Sequence, residues 1–413
     1  MHETLVADMP RTMKIAYHHR TRSTDAQRIH IQEIVNALLG LGHEVEVISL
    51  IRIDAGQDNP KRDAGDAFWK KLVRRTPYAY EIVQCAYNLI GFPLLMWKTL
   101  RGRADFIYER YALFNFAGIL TAKLCGLPLI LEVNSPLSLE QYRDREIRAQ
   151  KFAQWAERTV CNAASQVIVV STPLGRILQN IGVKSAKIRV MPNGVNLDKF
   201  QKRPASADLR RQWGLEGQIV IGFVGWFRNW HGLELLVEAF HKSKLANRNV
   251  KVLLIGDGPA MESLKTLVQH HDLQQSVLFT GPLRHAEVPD YLDLIDIAVQ
   301  PAAVEYCSPM KILEYMALGK CIVAPRQENV QELLREGEEA LFFTPQDVDS
   351  MASALAALAM DREKIIRMGR QARAAIDNRG FLWTVNAQTV IEIAQRLLQF
   401  GPRELTKPAP GSF

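Results

Sequence analysis

The pattern that most constrains this chain is an alternation of short apolar runs with amphipathic stretches, which occurs in two successive series. Such alternation is typical of a parallel β-sheet whose strands are joined by helices. Several of the runs are apolar at every position, as expected for strands that are buried on both faces. The pattern therefore predicts an α/β fold class in which one kind of unit occurs twice.

The first series predicts five strands, over residues 14–17, 44–49, 106–108, 129–133 and 166–170, with a helix over 26–39 that Gly40 and Gly42 close. The second series predicts five more strands, over residues 219–224, 252–255, 277–279, 297–299 and 321–324. Helical patterns follow from Val348 onward, and the last of them covers residues 383–400.

A chain of 413 residues suits two domains of ordinary size. The polar stretch 199–217, which contains Pro204, is the candidate linker between them. The predicted divisions are a first domain over 1–200, a second over 201–384, a C-terminal helix over 385–401 and a disordered tail over 402–413.

The net charge and the cysteine content limit the possible partners and the cellular compartment of the protein. The net charge of +7 permits attraction to nucleic acid, to anionic lipid or to a phosphorylated substrate. Five cysteines without a C-x-x-C pair predict reduced, buried structural thiols rather than disulfides or a zinc site. The N-terminus has no apolar core ahead of a cleavage site, so we expect a cytoplasmic protein.

An apolar stretch over residues 79–95 is flanked by basic residues on both sides. Glu81, Gln84, Asn88 and Pro93 interrupt it, which argues against a membrane span and is compatible with contact at a membrane surface. An amphipathic core helix with solvated ends explains the same pattern. The flanking residues are Lys70, Lys71, Arg74 and Arg75 before the stretch, and Lys98, Arg101 and Arg103 after it.

Ligands of open parallel sheets bind beyond the carboxyl ends of the strands, so the loops at those ends are the candidate sites. The loop over 225–232 begins with Gly225, contains Arg228 and leads into a helix, which suits a phosphate. Gly256 and Gly258 form a second tight loop that can bring backbone close to a base or ribose. Each loop can equally be a plain turn.

A third loop contains Glu305, Ser308 and Pro309 and leads into a helix that carries Lys311 and Glu314. Lys311 in the first turn can compensate diphosphate charge, and Glu314 can accept hydrogen bonds from two ribose hydroxyls. Alternatively, the two side chains pair with each other on a solvated face. The sequence contains no G-x-G-x-x-G after the first strand, no P-loop and no H-E-x-x-H, which argues against a dehydrogenase, a Walker-type hydrolase and a metalloprotease.

The ordered set of motifs resembles glycosyltransferase family 4, which consists of retaining enzymes of the GT-B fold. It comprises GHEV at 42–45, Ser171 after a strand, PNGVN at 192–196 followed by Phe200, the glycine loop at 225–232, GDGP at 256–259 and EYMALG at 314–319. The segment SPMKILEYMA at 308–317 is similar to a branch found among bacterial polysaccharide assembly enzymes.

The chain departs from the family pattern at several positions. Trp226 and His231 stand where the family has a phosphate-binding arginine and a lysine, so Arg228 and Lys311 are expected to supply that charge. Tyr306, not Glu305, aligns with the family's first glutamate, and Ser308 and Pro309 replace its Phe-Gly pair. We still expect Glu305 to reach the sugar hydroxyls.

In the first domain, Asn134 stands near the place where the family commonly has a histidine. We expect Asn134 and Glu132 to face the sugar or the acceptor.

The resemblance implies two Rossmann-like domains that face a central cleft, with the C-terminal helix crossing back to the first. It implies transfer of a sugar from a nucleotide-diphosphate sugar, with no cofactor and no metal, to a glycan acceptor. The apolar stretch with its basic flanks suggests in addition a lipid-linked glycan acceptor at the inner membrane face. The implied catalytic residues are Arg228, Lys311, Glu305 and Asn134, and the implied binding residues are Gly225, Trp226, His231, Gly256, Gly258, Ser308, Pro309 and Glu314.

Three other functions remain open at this point. A nucleotide-sugar epimerase would use the same fold without an acceptor, and an inactive relative would bind the nucleotide sugar without transferring it. A nucleic-acid binder is suggested by charge alone and lacks a recognised motif, so we expect no nucleic-acid partner.

Overall fold

The computed structural model describes residues 11–21, 26–50, 78–201, 207–284 and 286–401. The chain forms two compact units. Unit 1 comprises Met1–Met191 together with Asn386–Phe413, and unit 2 comprises Pro192–Val385. The divisions predicted from the sequence fall at 200/201 and 384/385. The predicted disordered tail over 402–413 lies outside the described residues.

Unit 1 contains a six-stranded, all-parallel sheet in the order β2-β1-β3-β4-β5-β6. Its strands are β1 Lys14–His18, β2 Glu44–Ile48, β3 Phe106–Arg110, β4 Leu129–Val133, β5 Gln166–Val169 and β6 Ile188–Val190. The five predicted strands are confirmed. The sequence pattern missed β6, a three-residue edge strand with two exposed residues.

The helices of unit 1 join these strands and cover the sheet. They are α1 Ala26–Gly40, α2 Ala79–Ala86, α3 Asn88–Gly102, α4 Ala117–Cys125, α5 Leu137–Arg143, α6 Gln150–Ala163 and α7 Thr172–Asn180. Ser171 begins α7 as an N-cap, since its Oγ accepts a hydrogen bond from the Leu174 N–H at 3.2 Å.

Unit 2 repeats the architecture with a parallel sheet in the order β12-β11-β10-β7-β8-β9. Its strands are β7 Ile219–Val224, β8 Val250–Ile255, β9 Val277–Phe279, β10 Ile297–Val299, β11 Cys321–Pro325 and β12 Ala340–Phe343. Its helices are α8 Ala207–Gln212, α9 Leu233–Ser243, α10 Met261–His270, α11 Val288–Asp293, α12 Met310–Ala317, α13 Glu328–Gln331, α14 Val348–Ala359 and α15 Arg362–Arg379.

The last helix, α16, covers Trp383–Phe400 as predicted, and the division between the units falls within its first turn. The edge strand β12 was not predicted. Helix α8 lies inside the stretch 199–217 that the sequence suggested as a linker.

The central strands of both sheets are buried on both faces, which explains why these strands are continuously apolar. Strands β4 and β11 are buried at every residue. Apolar helix faces cover unit 2's sheet on each side, as the two core clusters on opposite faces of its strands show. The fold is therefore two Rossmann-like α/β domains.

The cysteine prediction needs correction. Cys161 and Cys321 are buried, but Cys85, Cys125 and Cys307 are only partly buried, and all five are free thiols. Cys125 is the last residue of α4, and Cys307 lies in the turn before α12. Both therefore lie at the end of a helix, where the side chain is only partly covered.

Helix α2 inverts the usual arrangement of a surface helix. Its buried residues are Glu81 and Gln84, whereas Ile82 and Val83 are 65% and 55% exposed. The Glu81 carboxylate accepts hydrogen bonds from the backbone N–H groups of Arg148 at 2.7 Å and Ala149 at 3.2 Å. The polar face of α2 is thus held inward by hydrogen bonds and its apolar face is left outward. Among the described helices, none is long and apolar enough to cross a membrane.

Candidate functional site

The carboxyl edge of unit 2 is shaped by the glycine that follows β7. Gly225 has φ 143°, a conformation that side chains disfavour, and a Cβ at this position would lie 2.5 Å from Cε of Lys311. The Lys311 side chain therefore crosses the Gly225 backbone in space that only glycine leaves open. Strand β7 and the first turn of α12 meet at this point.

Two aromatic rings lie beside the Lys311 ammonium. Its Nζ lies 3.4 Å from Nε2 of His231 and 5.3 Å from the centroid of the Phe223 ring. Burial lowers the pKa of Lys311, and the charge of Glu314 one turn along the helix opposes that shift. A cation so placed is poorly solvated and attracts an anion strongly.

His231 serves as a neutral neighbour of this ammonium. Burial, together with the charges of Lys311 and Arg228, lowers its pKa to about 3. A neutral Nε2 can accept a hydrogen bond from the Lys311 Nζ. His231, which stands where the family has a lysine, thus orients Lys311, which comes from α12.

The GDGP loop packs directly on the loop that follows β7. The Phe227 N–H donates to the carbonyl of Asp257 at 2.6 Å, and the Ala260 N–H donates to the carbonyl of Phe227 at 3.0 Å. Gly256 and Gly258 face the backbone of Gly225 and Phe227, so a Cβ on either would strike main-chain atoms. The two glycines therefore let the GDGP loop pack closely against the loop after β7, and this packing fixes the Gly225 turn.

Two tryptophans of the same loop are exposed around this turn. Phe227 is fully buried and anchors the loop, while Trp226 and Trp230 are 52% and 56% exposed. The Arg228 guanidinium lies 4.8 Å from the centroid of the Trp230 ring, a cation–π distance. Arg228 is thus placed by Trp230 in the loop that also carries His231.

The start of α12 is fixed by a contact with the PNG segment of the same unit. The Asn193 N–H donates to Oγ of Ser308 at 3.1 Å, and its side-chain amide donates to the Ser308 carbonyl at 2.8 Å. Pro309 then begins the helix, and the Tyr315 hydroxyl accepts a hydrogen bond from the Val224 N–H at 3.1 Å. These contacts hold Lys311 against β7.

The two glutamates of this region differ in their surroundings. Glu314 is partly buried on α12, one turn after Lys311. Glu305 is exposed in the turn before the helix, and the described residues include no hydrogen-bond or ion-pair partner for it. The structure thus brings Gly225, His231 and Lys311 together, whereas Glu305 is exposed in the turn before α12.

The carboxyl edge of unit 1 contains a buried polar cluster around Glu132, at the end of β4. Its carboxylate accepts hydrogen bonds from the Tyr108 hydroxyl at 2.5 Å, from Arg110 at 3.0 Å and from the Asn134 amide. Burial alone would raise the pKa of Glu132, but His30, Arg110 and these hydrogen bonds bring it below the ordinary value. Glu132 is fully buried, so it positions Asn134 rather than facing a ligand.

A second cluster at this edge joins β1, β3 and the bend between α2 and α3. Nδ1 of His18 lies 2.5 Å from the Glu109 carboxylate, and its Nε2 lies 3.1 Å from the hydroxyl of Tyr87. The Arg20 guanidinium lies 4.3 Å from the centroid of the Tyr87 ring. The sequence reasoning missed this cluster, although two histidines directly after the first strand were a signal for it.

Two family models match the chain, each over one unit. The family described as Glycosyltransferase Family 4 matches residues 27–199, and the family described as Glycosyl transferases group 1 matches residues 206–375.

Characterised relatives extend this match. The chain is 25% identical over 407 residues to the D-inositol 3-phosphate glycosyltransferase of Kineococcus radiotolerans, covering 92% of each protein. It is 26% identical over 263 residues to the alpha-D-kanosaminyltransferase of Streptomyces kanamyceticus, covering 62% of this chain and 68% of that one.

Solved structures agree with the fold. HepE of Anabaena in complex with UDP has a TM-score of 0.69 at 18% identity, covering 93% of this chain and all of that one (100%). Sucrose-phosphate synthase of Thermosynechococcus elongatus has a TM-score of 0.68 at 19% identity, covering 93% and 99%. With the two matched models, the two sheets and these relatives, the chain belongs to the glycosyltransferases of the GT-B fold.

Proposed function

We propose that this protein is a retaining glycosyltransferase that moves a sugar from a nucleotide-diphosphate sugar to a glycan or lipid-linked glycan. The observation that carries the proposal is the Lys311 ammonium, held over Gly225 and against neutral His231 at the carboxyl edge of unit 2's sheet. A poorly solvated cation beside a glycine turn suits a diphosphate. Relatives of the chain include enzymes whose names specify GDP-mannose, and HepE holds UDP.

Each residue of unit 2 then has a part in binding the donor. Lys311 and Arg228 face the diphosphate with the Gly225 turn, and Glu314 accepts hydrogen bonds from ribose hydroxyls. Gly256 and Gly258 hold that turn in place, and Ser308 and Pro309 fix the start of α12. Trp226 and Glu305 lie at the exposed rim, where they can contact the transferred sugar.

The chemistry follows from where charge develops. Cleavage of the anomeric bond puts negative charge on the departing diphosphate and positive character on the sugar ring. Fixed cations at Lys311 and Arg228 stabilise the former, so the reaction as proposed requires no metal. Attack from the face of the leaving group retains configuration, and the departing phosphate takes the proton of the acceptor hydroxyl.

A thermal-shift screen of nucleoside diphosphates tests donor binding, because a ligand of the native state raises its stability with affinity. The best nucleotide is then compared with its 2′-deoxy form in the native protein and in a Glu314→Ala variant. We expect Glu314→Ala to weaken binding about ten-fold and to reduce the preference for ribose. Glu262→Ala, on an exposed position of α10, is the matched control.

Loss of binding without loss of ribose preference would remove Glu314 from the ribose site. If no nucleoside diphosphate shifts the melting temperature, the proposed function fails. Conversion of the donor sugar to its epimer in the absence of an acceptor would assign the alternative epimerase activity.

An exposed apolar surface on unit 1 supports an acceptor that lies in a membrane. Besides α2, helix α3 exposes Leu89, Pro93, Trp97 and Leu100, whose spacing places them along one face. Leu89 is 80% exposed. We call the exposed apolar residues of α2 and α3, namely Ile82, Val83, Leu89, Ile90, Trp97 and Leu100, the apolar stripe.

Cations stand at one end of the apolar stripe. Lys98 and Arg101 lie 5.3 Å and 5.4 Å from the centroid of the Trp97 ring. Arg103 is exposed just beyond the helix, whereas Lys98 is also paired with Glu46 at 2.8 Å. The basic residues Lys70, Lys71, Arg74 and Arg75 lie outside the described residues. Apolar side chains beside cations suit the interface of an anionic bilayer, so we place the protein peripherally at the inner membrane face.

Co-sedimentation with vesicles tests this placement. We expect binding to vesicles of phosphatidylcholine with phosphatidylglycerol, weaker binding to phosphatidylcholine alone, and a fall with added salt. A Leu89→Ser substitution should lower the partition coefficient about ten-fold, because a leucine leaves the lipid. Ile366→Ser on exposed α15 is the control, and an equal loss in both variants would contradict the assignment.

A further inference from the structure

The cluster of His18, Glu109 and Tyr87 stands at the carboxyl ends of β1 and β3, where ligands of an open parallel sheet bind. His18 and Glu109 are almost completely buried, whereas Tyr87 is half-buried at the bend between α2 and α3. Tyr87 therefore stands between the buried pair and the outside. Gly91 makes this possible, because a Cβ there would strike the Tyr87 ring.

The direction of the hydrogen bonds in this cluster follows from what each group can do. A carboxylate only accepts, so Nδ1 of His18 carries the proton that Glu109 receives. The Tyr87 hydroxyl shares a hydrogen bond with Nε2 of His18, in which it donates or accepts according to the protonation of the ring. In either case the Tyr87 hydroxyl keeps one hydrogen-bonding position for a ligand.

The neighbouring charge narrows the class of that ligand. The Arg20 guanidinium lies 4.3 Å from the Tyr87 ring centroid and donates to the Gln84 carbonyl at 3.0 Å. A positive charge held there disfavours an ammonium group and tolerates a neutral hydroxyl or a nearby anion. A neutral hydroxyl, which can both donate and accept a hydrogen bond, fits the free position of Tyr87.

We propose that the Tyr87 hydroxyl, oriented by His18 and Glu109, forms a hydrogen bond with a hydroxyl of a polyol acceptor. This inference rests on the proposed function and names the acceptor class of that reaction. Tyr87 touches the acceptor, and His18 and Glu109 are positioning residues. Tyr87 lies between α2 and α3, the two helices that carry the apolar stripe.

A Tyr87→Phe variant tests the contact, since it removes one oxygen and keeps the ring. The probes are myo-inositol and glycerol as acceptors, with the donor selected by the nucleotide screen. We expect KM for the polyol to rise about 2- to 10-fold, the loss of one neutral hydrogen bond. Nucleotide affinity and hydrolysis of the donor by water should stay within about two-fold. Tyr78→Phe, at an exposed position of the same segment, is the control.

A double-mutant cycle tests the positioning role of His18. If His18 acts through Tyr87, the His18→Gln and Tyr87→Phe losses in polyol KM do not add, and the double variant resembles Tyr87→Phe. Additive losses overturn the positioning role.

An unchanged polyol KM in Tyr87→Phe overturns the inference, as does an equal loss of nucleotide affinity. So does a native protein that hydrolyses the donor and transfers to neither polyol, which leaves the donor chemistry intact. Failure to bind any nucleotide would instead refute the proposed function.

Discussion

Each of the two units contains a parallel six-stranded sheet, yet side chains form the carboxyl edge of one sheet and backbone turns form that of the other. In unit 1 the edge is filled by ionisable side chains that form hydrogen bonds with one another, with Arg110 bound to Glu132 and His18 bound to Glu109. In unit 2 the edge is formed by glycine turns, with Lys311 held by a neutral histidine.

This difference shows how one topology can serve two kinds of ligand. A side-chain network with internally paired charges presents fixed hydrogen-bonding groups and little net charge, which suits neutral hydroxyls. A backbone cradle with a poorly solvated cation presents positive charge that the protein itself does not neutralise, which suits a diphosphate.

The largest expected effect breaks the network of unit 1. An Arg110→Ala variant leaves the Glu132 carboxylate buried without its cation, which we expect to lower the free energy of unfolding by about 3–5 kcal/mol. Urea unfolding measures this. Arg11→Ala, which removes an exposed pair with Asp105, should cost less than about 1 kcal/mol. Similar losses in both variants would mean that the buried network does not stabilise unit 1.

The matching change in unit 2 should act on binding and spare stability. Lys311→Ala removes the cation of the cradle, so we expect affinity for the nucleoside diphosphate to fall about 10- to 100-fold. The melting temperature without ligand should not fall, because burial disfavours the charged lysine. Isothermal titration and thermal shift measure the two quantities, with Lys265→Ala on exposed α10 as control. A large loss of stability would make Lys311 a structural residue.

Alkaline pH sharpens the same contrast. Because the pKa of Lys311 is lowered, the folded state releases this proton before the unfolded state does as pH rises. In that window the unfolded state binds more protons, so stability rises with pH while diphosphate affinity falls. Lys311→Arg should keep its affinity to higher pH, since arginine stays charged. Affinity measured from pH 7 to 10 with both proteins decides this, and identical profiles would contradict it.

Acidic pH should produce the smallest effect. The pKa of His231 is about 3 in the folded state against an ordinary value of 6.5. Between these values the unfolded state binds more protons, so stability contributed by neutral His231 falls as pH is lowered from about 6.5. His231→Gln should reduce this fall, measured as melting temperature from pH 7 to 4, and exposed His270→Gln should not. An unchanged profile would place His231 in a solvated site.

Sequence periodicity was sufficient for the frame of both units, because buried parallel strands are apolar at every position. It failed at β6 and β12, which are short strands at the edges of their sheets. It also could not decide the role of residues 79–95. The apolar pattern there is real, but in α2 its burial is reversed, and only the hydrogen bonds of Glu81 show which face of that helix is inside.

The glycine turns and Lys311 could be picked out because they follow strands directly, and chain order shows which strand ends carry them. The contact of Lys311 with His231 across Gly225 could not be predicted, because the two residues lie on different elements and are 80 positions apart in the sequence (|i−j|=80). The same holds for Tyr87 and His18 (|i−j|=69). Local patterns name the groups at a sheet edge, but tertiary packing decides which groups meet.

The reversed burial of α2 has a practical consequence for work with the purified protein. The contacts that attach this helix are made by its inward carboxylate and amide, not by Ile82 or Val83. Hydrophilic replacements at those two outward positions should therefore suppress self-association in detergent-free buffer while the hydrogen bonds beneath them persist. The outward apolar residues of α2 can therefore be substituted without loss of the contacts that attach the helix, which most helices of an α/β domain do not allow.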